Sequence, residues 1–199
     1  MANYVSNTLI IQCNDMDIMR KIKGLIFVKD ENGGLQYSMQ KLSPMPLAYS
    51  GQPGYLQYGN DWYCKRWVTK WDTYGSRVID SGLTLTLFYE TKWGSNNVWV
   101  KTFCKDINRI VDKHENAESI TIQVEHDYWE LMIGLGGKLI WRLGEKITYH
   151  ESGLMEYAFH FDRPFHDDLV ARFGYEPFIP KAQSKNLIKN NTIDKTEQK

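Results

Sequence analysis

From Val5 to Cys13 apolar and polar side chains alternate, with Leu9 and Ile11 on one side and Thr8, Ile10 and Gln12 on the other. A period of two predicts a strand with one buried face. Asn14 or Asp15 then offers a cap for a helix in which Ile18, Met19, Ile22, Leu25 and Ile26 recur at helical spacing. From Lys29 to Gly59 the pattern weakens. Asp30-Glu31-Asn32-Gly33-Gly34 predicts a turn, Ser43-Pro44-Met45-Pro46 forbids regular helix, and Gly51, Pro53, Gly54 and Gly59 mark a loop. Asn60 or Asp61 can cap a short helix from Trp62 to Trp71. Tyr63, Trp67 and Trp71 stack along one stripe of it, with Cys64 and Val68 alongside, and Trp62, Arg66 and Lys70 form a second.

Regular alternation then returns. Arg77 to Asp80 reads as a short strand, Ser81-Gly82 as a tight turn, and Leu83 to Glu90 as a strand in which Leu83, Leu85, Leu87 and Tyr89 alternate with Thr84, Thr86 and Phe88. So short a connection predicts a hairpin. Trp93-Gly94-Ser95-Asn96-Asn97 leads into the clearest helix of the chain, Val98 to His114. Its buried face carries Trp99, Phe103, Ile107, Ile110 and Val111, and Lys101, Lys105, Asp112 and Lys113 point to water. Ser119 to Val124 is the next strand. The order is that of an α+β fold of the ferredoxin-like βαββαβ plan: an antiparallel sheet, two helices on one face, and a Trp-rich helical insertion before the second strand.

A β-rich C-terminal extension follows. Tyr128 to Ile133 and Lys138 to Leu143 read as strands joined by Gly134-Leu135-Gly136-Gly137, and Lys146 to Glu151 with Glu156 to Phe161 as another hairpin around Ser152-Gly153. A last helix is expected near Pro164 to Phe173, with Asp167 and Asp168 in its first turn and Gly174 beyond its end. The domain reading is a core over 1–128 with an insertion at 29–75, an extension of the same domain over 129–180, and a flexible basic tail over 181–199. That tail holds five lysines against Asp194 and Glu197 and no aromatic residue. It is read as a solvated terminus, or else as a basic arm for nucleic acid.

Composition narrows the function classes. The chain has 199 residues, suited to one domain, and 24 Lys+Arg balance 24 Asp+Glu. Zero net charge argues against a dedicated duplex-DNA binder, which needs cations to meet phosphates. No run is long and apolar enough to span a bilayer, and the first residues lack the charged and apolar regions of a signal peptide. Cys13, Cys64 and Cys104 are odd in number and far apart, which suggests a reducing cytoplasm rather than disulfides or zinc. No cofactor motif is present: the glycines at 134–137 precede a strand and not a helix, which excludes a phosphate loop.

Four segments carry a family likeness: Asn3-Tyr4-Val5-Ser6-Asn7-Thr8-Leu9, Leu42-Ser43-Pro44-Met45-Pro46, Asp61-Trp62-Tyr63-Cys64-Lys65-Arg66-Trp67-Val68-Thr69-Lys70-Trp71-Asp72, and Leu85-Thr86-Leu87-Phe88-Tyr89-Glu90-Thr91-Lys92-Trp93. In order and spacing they resemble the YubB-like family of phage and plasmid proteins, a family of unknown function with a ferredoxin-like domain. The likeness covers residues 3–125. It implies a mobile-element origin and the cytoplasm of a bacterial host, and it carries no catalytic residues. Where the family has Thr-Ala-Trp-Ser-Pro-Pro, this chain has Thr91-Lys92-Trp93-Gly94-Ser95-Asn96, so the long helix starts differently.

The tryptophan segments hold the candidate site: Trp67, Lys70, Trp71, Asp72, Arg66, Glu90, Lys92 and Trp93. One reading is a mini-core, in which indoles give the insertion something large to bury and cationic stems cover the rim. The other is a groove where aromatic faces stack on a ligand and Lys or Arg meets an anion. The expected function is a non-catalytic binding module for a host protein or single-stranded nucleic acid, with no membrane partner. The competing expectation is an enzyme with Asp72 and Glu90 as acid and base beside Lys70. His160, Asp162, His166 and Asp167 lack metal-ligand spacing, and the five histidines are read as surface or cap residues. Cys64 and Cys104 are read as small core residues.

Overall fold

The computed structural model describes residues 4–29, 33–44, 67, 69, 72–92, 94–131 and 134–153. In chain order the elements are β1 (Tyr4–Cys13), α1 (Met16–Ile26), β2 (Phe27–Lys29), β3 (Leu35–Tyr37), α2 (Met39–Leu42), β4 (Tyr74–Asp80), β5 (Thr84–Lys92), α3 (Asn97–Val111), β6 (Ile122–Glu130), β7 (Leu135–Arg142) and β8 (Thr148–Gly153). Six strands form one sheet in the order β4-β5-β1-β6-β7-β8, and β2 and β3 form a separate ribbon. Every strand pair among the described residues is antiparallel. The protein is therefore α+β with an antiparallel sheet. No described helix is long and apolar enough to cross a membrane.

Alternation along β1 decides which side of the sheet is covered. Val5, Asn7, Leu9, Ile11 and Cys13 are buried, and the residues between them are not. Register carries that phase to both neighbours: Leu9 lies opposite Leu87 and His126, and Ile11 opposite Leu85 and Val124. β7 continues it with Leu139 and Trp141. Onto this face pack Ile18, Met19, Ile22 and Ile26 of α1, with Trp99, Val100, Phe103, Cys104, Ile107 and Val111 of α3, in one continuous core. Trp99 stacks on Phe103 at 5.2 Å and donates its indole N–H to the Met39 carbonyl at 3.0 Å, so its one polar atom is satisfied. Asp15 starts α1 by accepting from the Asp17 and Ile18 N–H groups at 2.9 and 2.8 Å.

The structure departs from the sequence expectation at three places. β6 is one strand across 122–130, where two, 119–124 and 128–133, are expected. Its buried phase passes from Ile122 and Val124 to His126, Tyr128 and Glu130. A hydrophobic count loses the strand where those polar side chains begin. β7 starts at Leu135, so Gly136 and Gly137 lie in the strand, and the turn glycine is Gly134, with φ of 64°. The weakly patterned stretch after Lys29 contains the β2–β3 ribbon and α2. The expected helix over 62–71 lies outside the described residues except Trp67 and Thr69, as do the second half of the hairpin expected over 156–161, the helix at 164–173 and the basic tail.

Leu9 is fully buried at the centre of the sheet, beneath both helices. Leu9→Ala is expected to cost about 2–5 kcal/mol in urea unfolding. A loss below about 1 kcal/mol would mean that the sheet and helices are not packed on this residue.

Candidate functional site

The expected site residues separate. Trp67 has no exposed surface and belongs to the core on the helix side. Asp72 caps α2: its carboxylate accepts from the Ser38 hydroxyl (2.6 Å) and from the Met39 (2.8 Å), Gln40 (3.3 Å) and Thr73 (2.8 Å) N–H groups. Thr69 is buried and anchors to the backbone of β5, with its hydroxyl donating to the Lys92 carbonyl at 2.9 Å. Glu90 and Lys92 follow the unburied phase of β5 and project from the opposite side of the sheet, where the Lys92 ammonium lies 5.2 Å from the Tyr4 ring centroid. Trp67 and Lys92 thus do not share a wall. Arg66, Lys70, Trp71 and Trp93 lie outside the described residues.

A second constellation, on the helix side, escaped the sequence reading. Asn7, Tyr89, Thr91, His126, Tyr128 and Glu130 all fall in the buried phase, and Asn96 and Asn97 sit above them at the start of α3. Asn7 orients the group. Its amide N–H donors go to the Val5 carbonyl and the Thr91 hydroxyl, both at 2.9 Å, and that hydroxyl donates onward to the Gly94 carbonyl at 2.8 Å. Asn7 Oδ1 is therefore the acceptor that faces His126 Nε2 at 3.1 Å, which places the ring proton on Nε2.

His126 Nδ1 lies 2.9 Å from Asn97 Oδ1. An oxygen at that point suits only a doubly protonated ring, whereas complete burial drives the pKa from 6.5 down to about 3. The magnitudes decide between them. An isolated buried charge costs several kcal/mol and one hydrogen bond returns about 1 kcal/mol. No carboxylate among the described residues touches the ring, so it is neutral. His126 is thus a buried neutral histidine and not the surface or cap residue expected.

From Asn97 the network runs outward. Its amide N–H donates to the Tyr149 hydroxyl at 3.3 Å, Tyr149 lies 2.6 Å from the Tyr128 hydroxyl, and both phenols donate to Glu151. Burial, followed by the Glu151 carboxylate, pushes the Tyr128 phenol far above its usual range and Tyr149 up to about 12. Tyr128 reaches Glu151 across β7 because its strand-pair partner is Gly137: a Cβ there would lie 2.4 Å from the ring. This explains why Gly137 stands inside a strand. Lys101 lies 5.6 Å from the Tyr149 ring and closes the outer end. A core polar residue at Asn7, in phase with Leu9 and Ile11, is the signal the sequence offered.

The other side of the sheet carries no helix among the described residues. In register across it lie Arg77, Phe88, Thr8, Asp127 and Lys138, and beside them Ile79, Thr86, Ile10, Glu125 and Ile140. Lys138 bridges Glu125 at 3.0 Å and Asp127 at 3.3 Å. Partial burial raises the Glu125 pKa, and the bonds to Lys138 outweigh it, so the group titrates below its ordinary range. Phe88, Ile79 and Tyr4 are exposed. No group of three or more metal-ligating side chains occurs among the described residues, and the residues around His160 and His166 lie outside them.

Comparison with protein-family models, with curated proteins and with solved structures returns no match.

Two outcomes are expected. Between pH 6.5 and about 3 the unfolded chain binds a proton at this histidine and the folded chain does not. Its contribution is full above pH 6.5 and falls as the pH drops, by about 1.4 kcal/mol per pH unit. The stability–pH slope of His126→Gln should be shallower than that of the parent by about one proton over pH 6 to 4; equal slopes would show a charged ring. Gly137→Ala should cost about 1–3 kcal/mol through collision with Tyr128, and Tyr128→Ala in the same chain should remove most of that added cost.

Proposed function

We propose that this chain is a non-catalytic protein-binding module that works through the helix-free face of its sheet. The supporting observation is a surface that combines exposed Phe88, Ile79 and Tyr4 with nearly balanced charge, Arg77, Lys92, Lys138 and Arg142 against Glu90, Glu125 and Asp127. Exposed aromatic and aliphatic side chains can anchor a partner in desolvated pockets. Nucleic acid would call for a surplus of cations, and Lys138 is already spent on two carboxylates. The enzyme alternative has less support: the Asp72 carboxylate is occupied by four donors, and Glu90 lies across the sheet from Trp67.

On this reading Trp67, Thr69 and Asp72 hold the insertion in place. Glu90 and Lys92 belong to the binding face. The same reading makes residues 1–128 a ferredoxin-like unit, with β1, α1, β4, β5, α3 and β6 as the βαββαβ order, and a relative of the YubB-like phage and plasmid proteins acting in a bacterial cytoplasm. The order β4-β5-β1-β6 supports it, and β7 and β8 extend the sheet beyond that unit.

The test is capture from bacterial lysate on the immobilised chain, with and without nuclease. A protein should be retained in both cases, and Phe88→Ser should reduce its recovery about tenfold or more with little change in the unfolding temperature. Release by nuclease would assign the face to single-stranded nucleic acid instead.

A further inference from the structure

The two edges of the six-stranded sheet are buried in opposite senses. In β4, at one edge, Arg77 and Ile79 on the helix-free side are exposed and Val78 on the helix side is half-buried, as a sheet with helices on one face requires. In β8, at the other edge, the order is reversed. Tyr149 and Glu151, on the helix side, are exposed, whereas His150 and Ser152, on the helix-free side, are half-buried, and His150 Nε2 is sealed from water. Beside them Gly136 is buried, and the Lys138, Asp127 and Glu125 side chains are only 18, 18 and 24% exposed. A central strand is shielded by neighbours on both sides. An edge strand has a neighbour on one side only, so the reversal at β8 requires a covering layer. No element among the described residues supplies it.

Two long stretches of chain lie outside the described residues, 45–66 and 154–199. The first is tied to the helix side at both ends: it leaves α2, whose Met39 is in the core, and returns at Trp67, which is in the same core. The second starts from Gly153, at the very edge where the reversal occurs. It is also the stretch that needs a surface to bury. Phe159, Phe161, Phe165, Phe173 and Phe178 are five of the chain's eight phenylalanines, and all precede the basic tail. Apolar area of that extent is driven out of water. Phe165, Leu169 and Phe173 recur every fourth residue and form one stripe of the helix expected over 164–173. A helix of that length is about 15 Å long and about 10 Å across, the width of three strands set about 4.8 Å apart.

We infer that residues 154–180 of this chain fold back over the β6–β8 half of the helix-free face and seat the Phe165, Leu169 and Phe173 stripe on Trp129, Ile140 and His150, which project from that side. The sheet is then covered on both sides at the β8 end and on one side only at β4 and β5. Lys138 and its two carboxylates lie under the cover, which accounts for their low exposure. Arg77, Ile79 and Phe88 lie beyond its reach, which accounts for theirs being high. The inference holds whatever the open half binds.

The test is a nuclear Overhauser map of the full 199-residue chain, labelled with carbon-13 and nitrogen-15. The Ile140 methyl protons and the Trp129 indole proton should show cross-peaks to the side chains of Phe165, Leu169 or Phe173. Leu169→Ala should weaken those cross-peaks and shift the His150 backbone signal, with the Arg77 signal in place. Cross-peaks from Ile140 and Trp129 to their strand neighbours alone, or to residues 45–66, would overturn the inference. So would cross-peaks from the Phe165, Leu169 and Phe173 stripe to Phe88 or Ile79, which would put the segment on the open half, or a His150 signal unmoved by Leu169→Ala.

Discussion

Two-sided pairing of β1 is the constraint on which the rest of this structure depends. Nine residues of β1 pair with β5 and eight with β6, so its alternation sets the phase of both neighbours. A slip of one residue would turn Leu9 and Ile11 to water and put Thr8 and Ile10 under the helices. It would also take Asn7 away from Thr91 and His126. The apolar and the polar halves of the helix-side core therefore demand the same register. That agreement between levels is what a uniquely folded sheet requires.

The polar half works as a fastener. Asn7 joins the two edges of β1, the Tyr89 hydroxyl donates to Asn96 at the foot of α3, and Asn97 links His126 to the β8 side chains. Each of these groups is buried or half-buried and each has partners, so the network adds direction to a core that hydrophobic packing alone would leave free to slide. Burial holds His126 neutral, lifts the tyrosines and raises the Glu130 carboxyl.

The legible parts of the fold were those where aliphatic residues carry the period. Leu9 with Ile11, Leu85 with Leu87, and the Trp99–Phe103–Ile107 stripe each mark an element within a few residues of its true bounds. Where the buried phase turns polar, as at His126 and Tyr128, the same strand reads as a break. Glycines at 136 and 137 resemble a turn because the reason for Gly137, a ring from the neighbouring strand, is invisible in one dimension. β2 and β3 have three residues each, too few to show a period. Asp72 caps a helix more than thirty residues before it, a contact no local pattern announces. The tryptophan segments drew notice for composition, and the buried Trp67 shows that an indole signals volume to be filled as readily as a surface to be bound.

The central claim is that the helix-free face meets a protein partner. Hydroxyl-radical footprinting of the chain, alone and in its captured complex, tests it directly, because oxidation reads side-chain exposure. The account predicts that Phe88, Ile79 and Leu83 lose reactivity in the complex while Tyr149 and Leu35, away from that face, keep theirs. Protection of Tyr149 or Leu35 with Phe88 left fully reactive would contradict it.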